Sequence, residues 1–233
     1  MTKDHQSLPG YDYGTERVGH SPVTLEDLRE LEETSGLTDE DRHYLALAGE
    51  VLSDQAEDMI NAWRARIGAQ AHLAKWFQGA DGQPDERYKA AVKPRFVQWV
   101  IDTCTRPYDQ AWLDYQEEIG LRHTPAKKNA TDHVQALPLV PLRYLLAFTS
   151  VVVTTTREFL ARKGHSPEEV ERMHVAWRPK RCCSRWLCGA ALTRKGICGE
   201  TTALPFGASR ATTADRPQLS PSSRCLAANK RRQ

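Results

Sequence analysis

The chain has 233 residues, 40% of them hydrophobic and 27% charged, which is enough apolar material for one packed domain, with or without a tail. Its longest apolar run, YLLAFTSVVV at residues 144–153, is too short to span a bilayer, and the opening MTKDHQSLPGYDYG lacks an apolar signal core, so the chain is expected to be cytoplasmic rather than membrane-bound or secreted. The net charge of +2 conceals a division: residues 178–233 hold 12 Lys+Arg and 2 Asp+Glu, residues 1–177 hold 20 and 28, and only Cys104 of the six cysteines lies in the first part.

In chain order, nearly every segment up to Trp177 reads as helix. SPVTLEDLRELEETSG has Thr24 as N-cap and stops at Gly36. TDEDRHYLALAGEVLSDQAEDMINAWRARIG starts behind Thr38 and divides into two helices, and HLAKWFQG forms a short one. PDERYKAAVKPRFVQWVIDTC is helical but interrupted at Pro94, which is expected to kink it. YDQAWLDYQEEIGLRH carries His123 and is stopped by Pro125. PLVPLRYLLAFTSVVVTTTREFLARKG is apolar on most faces and is expected as a central buried helix. SPEEVERMHVAW opens on a capping box of Ser166 and Glu169. No hairpin signal competes, so the fold class is all-α.

Trp112, Tyr115, Ile119 and His123 recur at helical spacing and share one face. A histidine ending such a stripe is either a partly buried side chain with one hydrogen bond or a neutral imidazole presented to a metal, as haem iron requires. A pack of about eight helices with an inward histidine suits a globin-like fold, although a helical bundle without a cofactor has the same pattern.

The segments LPGYDYG, AGEVLSDQAEDMINAW, RFVQWVIDTCTRPYDQAWLDYQEEIGLRHTPAKKN, PLRYLLAF and FLARKGHSPEEVERM resemble the protoglobins, single-domain haem globins related to the sensor domains of globin-coupled sensors. The resemblance runs over residues 8–177. It implies a globin fold with an N-terminal extension (residues 1–22) covering the haem edge and an extra N-terminal helix, ahead of a haem domain at residues 23–177. It implies haem b as cofactor with His123 as proximal iron ligand. Trp63, Val92, Phe96, Leu145, Phe148 and Val152 match positions that line the haem and its gas-access routes, and Arg95 matches one that meets a haem propionate. Where the resemblance implies a tyrosine after the distal tryptophan, this chain has Arg64. An unpaired buried charge is expensive, so Arg64 is expected to point outward.

The function implied is reversible binding of dioxygen, carbon monoxide or nitric oxide, by a homodimer formed through the last two helices if the final helix is intact. The alternatives are a component of a gas sensor and a haem enzyme of peroxidase, nitrite or nitric oxide chemistry. The enzyme reading wants a distal acid–base group that the sequence does not offer. The basic segment lacks the interleaved aromatics of a nucleic-acid site, and the spacing of Cys182, Cys183, Cys188 and Cys198 does not match the short pairs of zinc modules. Nucleic acid and zinc are therefore not expected as partners, and neither is a membrane.

Where the resemblance implies a leucine-rich last helix, this chain continues RPKRCCSRWLCGAALTRKG at residues 178–196, with Pro179 and charges across the expected core stripe. One synonymous back-translation of this segment, read from the third base of each codon, gives AKAVLLQVALWSRAYAKG, an amphipathic helix similar to the missing one. The segment after Trp177 is therefore expected to be an out-of-frame reading that truncates the last helix and leaves a basic, cysteine-rich, disordered tail. Sequencing the gene across this junction, and expressing the frame-corrected chain beside this one, should give tighter haem retention and dimerisation in the corrected form. An early stop or a non-helical string in the other frame would refute the reading.

Overall fold

Three helices begin with the same reciprocal cap. The Oγ1 of Thr24 accepts from the backbone N–H of Asp27, whose carboxylate accepts from the N–H of Thr24, and Thr38 with Asp41 and Ser166 with Glu169 repeat the arrangement. Each box satisfies main-chain donors that the first turn leaves open. The structure, a computed structural model, describes residues 8–177. The expectations for the tail, its frame and its disorder, and for the altered end of the last helix, lie outside the described residues.

The elements are α1 (Leu25–Thr34), α2 (Asp39–Leu52), α3 (Ala56–Gly68), α4 (Ala71–Ala74) with a 3-10 turn at Lys75–Phe77, α5 (Glu86–Thr105), α6 (Gln110–Leu121), α7 (Lys128–Asp132), α8 (Leu142–Leu160) and α9 (Pro167–Trp177). Among the described residues the only β pairing is an isolated bridge between Gln78 and Pro84. None of their helices is long and apolar enough to cross a membrane.

The main core joins α2, α3, α5, α8 and α9 through buried residues such as Leu45, Leu52, Ile60, Val100, Leu160 and Met173. Buried Gln55 ties three of these helices together. It precedes α3, and its amide donates to the carbonyl of Val51 at 2.8 Å and to that of Phe159 at 3.2 Å, at the ends of α2 and α8. A second, smaller core places Leu28 of α1 against Trp112 and Leu113 of α6.

Four sequence expectations need correction. Pro94 does not interrupt its helix: α5 runs unbroken through it, and beyond the proline Phe96, Val97, Val100 and Cys104 pack into the main core. The helix before His123 ends at Leu121, so the histidine stands in the turn beyond it. Trp112 leaves the stripe, because its ring stacks on Tyr108 at 4.1 Å in the smaller core. Helix α8 is not buried all round: Val152, Thr156, Phe159 and Leu160 are buried, but Leu146 is 54% exposed.

Helices α2 and α5 approach closely at Gly49, where an added Cβ would lie 2.7 Å from the Cβ of Cys104 and 3.4 Å from the Cγ2 of Thr105. Gly49→Ala should therefore destabilise the fold by about 1–3 kcal/mol, the range of an overpacked core, although alanine is the better helix former. A denaturant midpoint unchanged or raised in this variant would show that the two helices can part without cost.

Candidate functional site

His123 is fixed by its own main chain before its ring comes into play. Its N–H donates to the carbonyl of Gly120 at 3.0 Å, closing the end of α6, and its carbonyl accepts from Val140 N–H at 2.9 Å, which clamps the loop leading into α8. The ring Nδ1 lies 2.9 Å from the carbonyl oxygen of Ile119. A carbonyl only accepts, so Nδ1 carries the proton, and the neutral ring keeps its lone pair on Nε2. Burial pushes the imidazolium form below the ordinary histidine range, and the cations of Lys128 and Arg122 add to this against the opposing bond to Ile119.

The uncovered part of the ring borders a cavity of about 300 Å³, within the size range of small-molecule sites. Val92, Arg95 and Phe96 reach it from α5, and Leu145, Phe148 and Val152 from α8. Seven of the eight residues singled out in the sequence thus border one space with His123 among them. The eighth does not. Trp63 stands behind Phe96, ring centroids 5.4 Å apart, and its indole N–H donates to the Oγ1 of Thr155 at 2.5 Å. Arg64 is half-buried and is not among the residues bordering the cavity.

Several wall residues were not singled out from the sequence. Trp76 and Phe77 come from the turn after α4, Tyr88 from α5 and Lys128 from α7. The adjacent aromatics in the short segment HLAKWFQG were a usable signal, since a short polar turn rarely carries two. Lys128, in the run AKKN, reads in sequence as a solvated charge. In the structure it is 3% exposed, with Nζ donating to the carbonyl of Trp76 at 2.9 Å and standing 4.9 Å from the Tyr88 ring centroid. Burial lowers its pKa to about 8, with Asp132 opposing.

The N-terminal segment is fastened across one side of this cavity. Arg95 Nη1 donates to the carbonyl of Pro9 at 3.1 Å, and Arg122 Nη1 to that of Gly10 at 2.5 Å. Gly10 has φ +73°, a backbone conformation that favours glycine, and a Cβ there would lie 2.6 Å from Arg95 Nη1. The phenol of Tyr11 donates to Asp102 at 2.6 Å. That carboxylate is 2% exposed and also accepts from Gln98 and Arg106. Both Nη atoms of Arg95 meet the carboxylate of Asp132, at 2.9 and 2.6 Å, so its charge is already balanced within the protein.

An all-helical fold with a neutral imidazole turned into an apolar-walled cavity is the architecture of a globin. Residues 24–179 match the Protoglobin family model, and the chain belongs to that family. In fold it is similar to the globin domain of the Geobacter sulfurreducens globin-coupled sensor, with TM-score 0.55 at 15% identity, over 70% of this chain and 96% of that one. No curated protein matches the chain.

The lowered pKa of His123 makes a stability statement about the haem-free protein. Below the ordinary imidazole pKa the unfolded chain binds a proton that the folded chain resists, so stability is lost as pH falls through that range. Chemical denaturation from pH 7 down to pH 5 should cost wild type more stability than His123→Gln, which lacks the titrating group. Parallel losses in the two proteins would show that this ring takes up its proton unhindered in the fold.

Proposed function

We propose that the chain is a haem protein that binds small gaseous ligands reversibly at iron held by His123. The observation that carries this reading is the Nδ1–H bond to Ile119, which leaves Nε2 as the free donor on a ring bordering the cavity. Among the described residues no group of three or more His, Cys, Asp or Glu could hold a metal ion. One imidazole does not retain an ion by itself, whereas the macrocycle of haem b would supply the other ligands. When bound, that group supplies an iron atom with one position open to a diatomic gas. The flat apolar surface of a porphyrin also suits the aliphatic and aromatic wall.

The protein's own residues favour binding over turnover. Nδ1 donates to a neutral main-chain carbonyl rather than to a carboxylate, so the ring stays an imidazole and gains little basicity. Weak electron donation of this kind suits reversible ligation better than cleavage of an O–O bond. Val92, Phe96, Leu145, Phe148 and Val152 offer a bound gas no acid or base. The same reading makes the protein cytoplasmic, and a homodimer through the last two helices where the final helix is intact.

His123→Gly should lose the five-coordinate ferrous spectrum or the haem itself, and added imidazole should restore carbon monoxide binding through the space left. An unchanged ferrous spectrum without imidazole would refute His123 as the ligand. Arg64 turned away from the iron predicts that Arg64→Ala alters dioxygen dissociation only slightly. A change well over about tenfold, the loss expected for a charge-assisted hydrogen bond, would put the guanidinium beside the ligand.

A further inference from the structure

Lys128 is a buried cation in the cavity wall, and among the described residues no carboxylate lies within ion-pair distance of it. Asp132, the acidic group that acts on it electrostatically, is held in both arms of Arg95. Of the three ammonium protons of Lys128, one is used on the Trp76 carbonyl and one faces the Tyr88 ring. Burying a charge with so little compensation is costly, unless an anion completes the site. A second observation points to the same place. Trp76 also lines the cavity, and its buried indole Nε1–H has no acceptor. Buried donors without partners are rare, and this one belongs to the residue whose carbonyl already holds Lys128, so the two side chains define a corner that wants an acceptor.

Resting on the haem reading above, we infer that Lys128 and the Trp76 indole form a carboxylate-binding corner that takes one propionate of the porphyrin, while Arg95 stays committed to Asp132 and the N-terminal segment. The assignment departs from the expectation for Arg95, and the charge balance decides it. Arg95 carries a carboxylate already and spends a further donor on Pro9, whereas Lys128 carries none. The corner also gives the otherwise costly placement of Lys128 a function: its charge becomes favourable when the cavity holds an acid.

The test compares haem with its dimethyl ester, which has the same ring and iron but no anionic carboxylate. Each is loaded onto the full-length chain, and its loss is timed by transfer to excess apomyoglobin. Wild type should hold haem at least about tenfold longer than the ester, the range of a charge-assisted hydrogen bond. Lys128→Met should erase most of that difference by releasing haem faster while holding the ester as long as wild type does. Trp76→Phe should reduce the difference in part, and Lys128→Arg should keep it. Arg95→Gln should shorten retention of both porphyrins alike, because it loosens Asp132 and the N-terminal segment. If Lys128→Met shortens both lifetimes equally, Lys128 is a packing residue and the inference is overturned. It is overturned too if Arg95→Gln alone abolishes the discrimination. If neither wild type nor the frame-corrected chain holds either porphyrin, the haem reading itself is refuted. Circular dichroism melts of the apo variants separate loss of the corner from loss of the fold.

Discussion

A histidine ring that donates from Nδ1 to the main-chain carbonyl four residues before it has only Nε2 left to turn outward, and the rest of the site follows from that one bond. The acceptor is the Ile119 carbonyl in the last turn of α6, one of the groups a helix end leaves without a partner. The ring therefore satisfies the helix while the helix orients the ring. His123 lies two residues beyond Leu121, so its backbone is free to leave the helical path, and the bonds to Gly120 and Val140 fix where it goes. A histidine inside the helix would present its ring at an angle set by the helix axis. One in the closing turn is aimed by two local bonds and a third to Val140.

The ionic groups around the cavity divide into those that close it and those that face it. Arg95 and Arg122 are tied by carboxylates and by the carbonyls of Pro9 and Gly10, so they serve to fasten the N-terminal segment. Glu118 is buried between Arg122 and Lys127, one turn from His123, and holds the guanidinium in place. Lys128 has no such counterweight. Fixed cations near the histidine also keep its ring neutral, and so a group that binds a carboxylate contributes at the same time to keeping the ring's lone pair free.

The parts of the fold legible in the sequence are those governed by local rules. Thr24, Thr38 and Ser166 each sit three residues before a carboxylate, and each opens a helix. Val92 and Phe96, spaced four apart on α5, face one space because helical periodicity makes them do so. The rest was set by tertiary packing. Pro94 looks like a break until α5 is seen packed into the main core beyond it, and Trp112 fits the histidine stripe until Tyr108 stacks on it. Trp63 was singled out by the resemblance alone, and its indole N–H is held by Thr155, ninety-two residues away, which no local pattern encodes. Lys128 was illegible for the same reason: its burial comes from Trp76 and Tyr88, on other elements.

The chain carries six tryptophans, and three of those described are grouped around the cavity: Trp76 and Trp99 border it, and Trp63 stands one ring behind Phe96. Indole emission is extinguished by energy transfer to a nearby porphyrin, and the transfer falls off steeply with distance. A porphyrin in this space would lie against two indoles and one side chain away from a third, so the protein's ultraviolet fluorescence is a built-in gauge of occupancy. Loading and release can be followed by light from the wall itself, with no label attached.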